Sequence, residues 1–142
     1  MAILPDNIRS QVKKQFEENL KKPVRIVYFT QELECQFCKD THNLLSEISS
    51  LSDKITLDVK DFVADKEQVT KYNIDKIPAT VIMDDVDYGI RLYGIPGGYE
   101  FTSLIGDILM ISGGEKKLSP KSLKRIATLK KPIHIKVFVT NT

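Results

Sequence analysis

Short apolar strands alternate with amphipathic helices along most of this chain, and that alternation restricts the fold more than any other feature. Ile8, Val12, Phe16 and Leu20 recur every four residues among charged neighbours, which predicts a first helix ending before Pro23. Val24 to Phe29 reads as a largely buried strand, and Leu44, Leu45, Ile48 and Leu51 then repeat at helical spacing. A second strand is expected around Ile55 to Val59, a polar helix near Asp65 to Tyr72, and a third strand at Ala79-Thr80-Val81-Ile82-Met83. Strands separated by helices build βαβ units. The turn-rich stretch from Asp84 to Gly89 leads into Ile90-Arg91-Leu92-Tyr93, the expected antiparallel hairpin partner of the third strand. Gly94, Pro96, Gly97 and Gly98 interrupt the chain before a helix with Phe101, Leu104, Ile105, Ile108 and Leu109 on one face, stopped by Gly113-Gly114. The expected class is α/β, a central mixed sheet flanked by helices.

The length of 142 residues and the 42% hydrophobic content suffice for a core without covalent staples. With 21 basic and 19 acidic residues the formal charge is +2, too small to argue for nucleic acid or a membrane surface as partner. The N-terminal residues lack a basic stretch followed by a long apolar one, and no segment approaches the roughly 20 apolar residues of a bilayer span. A soluble, cytoplasmic protein is expected. In a reducing compartment, closely spaced cysteines are more often catalytic, redox-active or metal-binding than structural.

The chain's two cysteines form Cys35-Gln36-Phe37-Cys38, between the first apolar strand and the helix that follows. Unpaired N–H groups and the positive end of the dipole at a helix N-terminus favour thiolate over thiol. A thiol three residues on lies one turn away, with Cβ atoms about 5–6 Å apart, near disulfide range. The pair suits a reversible dithiol/disulfide switch, the alternative being a static disulfide or two inert thiols. Glu34 opposes a thiolate on Cys35 by like charge and Lys39 favours it. His42 follows Cys38 by one turn, so Cys35, Cys38 and His42 could form a metal cluster, but a structural zinc site needs a fourth ligand and none is in sight. No metal and no dissociable cofactor are expected, and His42 reads as an exposed helix residue. The glycines between Tyr93 and Phe101 lack phosphate-loop spacing and read as a turn feeding a helix.

The element order β-α-β-α-β-β-α behind an extra N-terminal helix is a thioredoxin-like topology. A local echo follows it. Lys21-Lys22-Pro23-Val24-Arg25-Ile26 is matched by Lys130-Lys131-Pro132-Ile133-His134-Ile135, each after a helix and each opening an apolar strand. Ser119-Pro120 begins that later helix, and Leu123, Ile126 and Ala127 give it an apolar stripe. Residues 1–115 are therefore expected to form one thioredoxin-like unit, and residues 116–142 the opening helix and strand, the latter at Ile133 to Val139, of a truncated second.

With Ile77-Pro78-Ala79-Thr80 opening the third strand, and Asp87-Tyr88-Gly89-Ile90-Arg91 running through Gly94-Ile95-Pro96-Gly97-Gly98-Tyr99-Glu100-Phe101, the chain resembles the glutaredoxin-like protein disulfide oxidoreductases. These are proteins of two fused thioredoxin-fold units, and the likeness is to the first. It implies that Cys35 is the attacking thiolate, that Cys38 resolves the mixed disulfide, that Pro78 is cis and faces the cysteines, and that the Ile77 main chain binds a client peptide. It implies protein disulfide clients, an electron donor like a flavoprotein thioredoxin reductase, and a second thioredoxin-fold unit. Thioredoxins carry a buried Asp six residues before the first cysteine; here Phe29 occupies that position and the role is unassigned, Asp61 being either a candidate substitute or a solvated turn carboxylate. Two rival readings are a docking half that supports a more reactive second unit, and an electron-relay domain like the N-terminal region of alkyl hydroperoxide reductase flavoproteins.

Overall fold

A computed structural model of the chain describes residues 2–114 and 117–140. Helix α1 (Asp6–Asn19) buries Val12 and Phe16 and closes with Leu20 N–H donating to the Phe16 carbonyl at 3.0 Å. Pro23 follows before the helix can resume, and the chain enters β1 (Val24–Thr30). Then come α2 (Cys38–Ser49), β2 (Ile55–Asp61), α3 (Lys66–Lys71), β3 (Ala79–Met83), β4 (Arg91–Tyr93), α4 (Tyr99–Ile111) and α5 (Pro120–Ala127).

The four strands form one mixed sheet in the order β2-β1-β3-β4. β1 runs parallel to β2, with Thr30 opposite Asp61, and antiparallel to β3, with Phe29 opposite Ala79. β3 and β4 form the expected antiparallel hairpin. Because side chains alternate across a sheet, β1 feeds two cores. Val24, Ile26 and Tyr28 join α1, α2 and α4 on one face, while Val27 and Phe29 join Val69 of α3, Tyr72 and Ile74 on the other. This is the expected mixed sheet with an additional N-terminal helix.

Two polar devices lock the helices to this frame. The α4 C-terminus turns on Gly113, whose φ of +94° suits glycine, with Gly114 N–H donating to the Leu109 carbonyl and Gly113 N–H to that of Met110. The adjoining Ser112 hydroxyl, fully buried, accepts from the Lys21 and Lys22 N–H groups and donates to the Lys22 carbonyl, tying α4 to the link between α1 and β1. Glu47 of α2 accepts from the N–H groups of Ile3 and Leu4 and from Arg9, fastening the N-terminal arm.

After α4 the chain departs from expectation. The expected boundary between residues 115 and 116 lies outside the described residues. Helix α5 forms where anticipated, Ser119 capping it by accepting from Ser122 N–H. Residues 133–139 do not form the expected strand: they are exposed and belong to no ladder. Alternating apolar residues become a strand only against a neighbouring edge, and β1 to β4 pair among themselves without this segment.

Candidate active site

The sheet places three loops at one end. β1 runs out toward the cysteines, parallel β2 ends beside it at Asp61, and antiparallel β3 begins beside it just after Pro78. The Ile77–Pro78 peptide is cis. The Pro78 carbonyl accepts from Gly94 N–H at 2.9 Å, whereas the Ile77 main chain makes no hydrogen bond to another described residue.

Cys35 and Cys38 are joined in a disulfide with Cα atoms 5.5 Å apart. Helix α2 begins at Cys38, so Cys35 lies in the preceding turn and not within the helix. Phe37 takes the N-cap position and supplies no side-chain acceptor, which leaves the first-turn N–H groups without a side-chain cap on the side of Cys35. Glu34, with φ of +57°, adopts the left-handed conformation uncommon for a side chain of its size and turns the loop into Cys35. The two sulfur-bearing residues differ in access: Cys35 is half-buried and Cys38 only 3% exposed.

Beneath Cys38 lies a polar cluster that spacing did not reveal. Tyr28, fully buried, donates its hydroxyl to the Cys38 carbonyl at 2.7 Å. Thr41, one turn farther along α2, donates to the Phe37 carbonyl at 2.7 Å. Burial pushes the Tyr28 phenol above its ordinary value, against hydrogen bonding with Thr30 and Thr41. The His42 ring stacks on Tyr28 with centroids 5.9 Å apart. Counting six residues back from Cys35 reaches Phe29, but Phe29 packs edge-on against Tyr72 in the core on the opposite face. The residue that β1 presents to Cys38 is Tyr28, and strand alternation was the signal that could have found it.

A cavity of about 340 Å³ opens on the β2 side of the disulfide, with Cys35, Cys38, Lys39, His42 and Asp61 in its lining. Asp61 also organises the turn after β2, one carboxylate oxygen accepting from the N–H groups of Val63 and Ala64, each at 2.8 Å. The structure thus brings Cys35, Cys38, His42 and Asp61 together, with Ile77 and Pro78 at the same end of the sheet. Among the described residues no group of three or more His, Cys, Asp or Glu side chains is arranged to hold a metal ion, and no helix is long and apolar enough to cross a membrane.

No family model matches the chain. It is 30% identical over 127 residues to the AhpF component of alkyl hydroperoxide reductase from Pseudomonas putida, an alignment covering 89% of this chain and 22% of that protein. The chain spans about a fifth to a quarter of the length of the curated relatives it matches. Among solved structures it superposes on a protein disulfide oxidoreductase from Aeropyrum pernix with a TM-score of 0.81 at 21% identity, over 92% of this chain and 57% of that one. On the NTD N/C domain of alkyl hydroperoxide reductase AhpF from Enterococcus faecalis the TM-score is 0.79 at 28% identity, over 90% of this chain and 62% of that one. The chain is a thioredoxin-fold domain similar to the AhpF N-terminal domain, and it carries a Cys-Cys pair suited to thiol–disulfide chemistry.

Proposed function

We propose that this chain is a thiol–disulfide oxidoreductase unit of the glutaredoxin-like protein disulfide oxidoreductase type, exchanging disulfides with protein clients in the cytoplasm. The observation that carries the reading is the Cys35–Cys38 disulfide, which joins a half-buried cysteine in the turn to a buried one at the start of α2. A dithiol donor of the thioredoxin reductase kind attacks Cys35 Sγ, Cys38 leaves as thiolate, and the donor's second thiol completes the transfer, leaving both cysteines reduced. Cys35 thiolate then attacks a client disulfide, forming a mixed disulfide and releasing one client thiolate. Cys38 attacks Cys35 Sγ, releases the second client thiol and restores the pair. The free main chain of Ile77 beside cis-Pro78 suits an extended client segment laid against this end of the sheet.

Residues 116–142 are proposed to open a second thioredoxin-fold unit. The repeated Lys-Lys-Pro segment supports this, as does the exposure of Ile135, Val137 and Phe138, the last at 91%, in a segment of strand-like alternation.

Insulin reduction by dithiothreitol tests the main reading. Wild-type protein is expected to accelerate precipitation and Cys35→Ser to abolish the acceleration; equal rates would overturn the assignment. The similarity to alkyl hydroperoxide reductase AhpF favours one second reading, an electron relay to a dedicated partner. A relay would be reduced readily by a flavoprotein thioredoxin reductase yet leave insulin at the dithiothreitol-only rate.

A further inference from the structure

Resolution of the mixed disulfide requires Cys38 to lose its proton, and the position six residues before Cys35, where thioredoxins carry a buried carboxylate, is Phe29 here. β1 presents Tyr28 to Cys38, and Tyr28 is a donor already committed to the Cys38 carbonyl, its phenol held protonated by burial. Phe29 faces the other core. Because Cys38 is only 3% exposed, a proton leaving it toward the β2 side must pass through the cavity that both cysteines line. The charged and titratable groups around that cavity are Glu32 and Cys35 from the turn, Lys39 and His42 from α2, and Asp61 from β2, with Tyr28 stacked behind His42. Lys39 is exposed at the end of a flexible four-carbon stem. Glu32 is exposed beside the turn, and Asp61 has one oxygen engaged by two backbone N–H groups. His42 is different. It lies one helical turn after Cys38, its ring stacks on Tyr28, and the residue is exposed, so that it can exchange a proton with water.

Resting on the oxidoreductase reading, we infer that His42 is the proton acceptor for Cys38 and that the cavity between α2 and β2 is the route of the proton. As Cys38 attacks, its S–H proton moves to the His42 imidazole. The Cys38 thiolate forms the bond to Cys35 Sγ as the Cys35–client bond breaks, the client sulfur leaves with the electron pair, and His42 returns the proton to that thiolate or to water. Asp61 lines the same cavity from β2 and is a positioning residue for the His42 side chain.

Reaction of the reduced protein with 5,5′-dithiobis(2-nitrobenzoate), followed by stopped-flow absorbance, separates the two attacks. Cys35 releases the first nitrothiobenzoate, and Cys38 releases the second as it closes the disulfide. His42→Gln keeps a side chain of similar reach at an exposed site. It is expected to leave the first phase unchanged and to slow the second by about tenfold or more at pH 7. The deficit should shrink as pH rises, because hydroxide competes with the His42 side chain for the Cys38 proton. Asp61→Asn is expected to slow the second phase less than His42→Gln does. A second phase unchanged in His42→Gln would overturn the inference, as would equal slowing of both phases or a larger effect of Asp61→Asn. If the wild type showed no first phase, the oxidoreductase reading itself would fall.

Discussion

Glu47 anchors the N-terminal arm to the helix that begins at Cys38, and its replacement by Gln makes a quantitative test of that anchor. The carboxylate accepts from Ile3 N–H, from Leu4 N–H at 3.1 Å and from Arg9 Nη2 at 3.0 Å, and the side chain is 16% exposed. A glutamine keeps one accepting oxygen and aims its amide protons at the remaining donors. Hydrogen bonds to a charged group are worth about 1.5–3 kcal/mol each, but Ile3 can turn to water and the half-exposed Arg9 pair contributes at most about 1 kcal/mol. A net loss of about 2 kcal/mol follows. Detachment of the whole arm would add the burial of Leu4, about 1.5–3 kcal/mol more, so a loss well above 2 would mean the arm had left the core. Burial tends to raise the Glu47 carboxyl, but the bonds from Ile3, Leu4 and Arg9 outweigh it and hold the group below its ordinary value. A lowered folded-state value means that the contribution is complete above the ordinary glutamate value of about 4.3 and disappears as pH falls through the folded one. Urea unfolding of wild type and Glu47→Gln should therefore differ by about 2 kcal/mol at pH 7 and converge as pH falls below the ordinary glutamate value of about 4.3 and through the lowered folded-state one. A gap under about 0.5 kcal/mol at pH 7, or one that stays constant into acid, would refute this account of the anchor.

Two cross-strand neighbours on the same face should respond with opposite sign. Tyr28→Phe removes the donor to Cys38 while keeping the ring, and should cost about 1 kcal/mol in urea unfolding; an unchanged midpoint would argue against that bond. Thr80, opposite Tyr28 and fully buried, has a hydroxyl without a partner among the described residues, so Thr80→Val should stabilise by about 1 kcal/mol. Destabilisation instead would mean that the hydroxyl holds a water.

The sheet was legible because its residues announce themselves locally. Val24 to Phe29 and Ala79 to Met83 are apolar runs of strand length, and Asp84 to Gly89 has the composition of a hairpin turn. The disulfide-forming pair was equally open to inspection. What escaped was whatever depends on register or on distant contacts. Counting back from Cys35 selects Phe29, but the turn from Gln31 to Phe37 sets its own length, and only the alternation of β1 decides that Tyr28 faces Cys38. The start of α2 is hidden because Phe37 is not a capping residue type, so nothing in the sequence marks the boundary. The Glu47 anchor joins residues 38 to 44 positions apart and has no local signature. Residues 133–139 have the alternation of a strand, which expresses a preference that only a neighbouring edge can realise.

The central claim, that Cys35 attacks and Cys38 resolves, is tested most directly by trapping. Reduced Cys38→Ser protein mixed with a disulfide-containing protein client should accumulate a covalent one-to-one adduct, seen by intact mass spectrometry, mapped to Cys35 and released by dithiothreitol. Cys35→Ser should form none. An adduct on Cys38 in Cys35→Ser, or no adduct in either variant, would contradict the account.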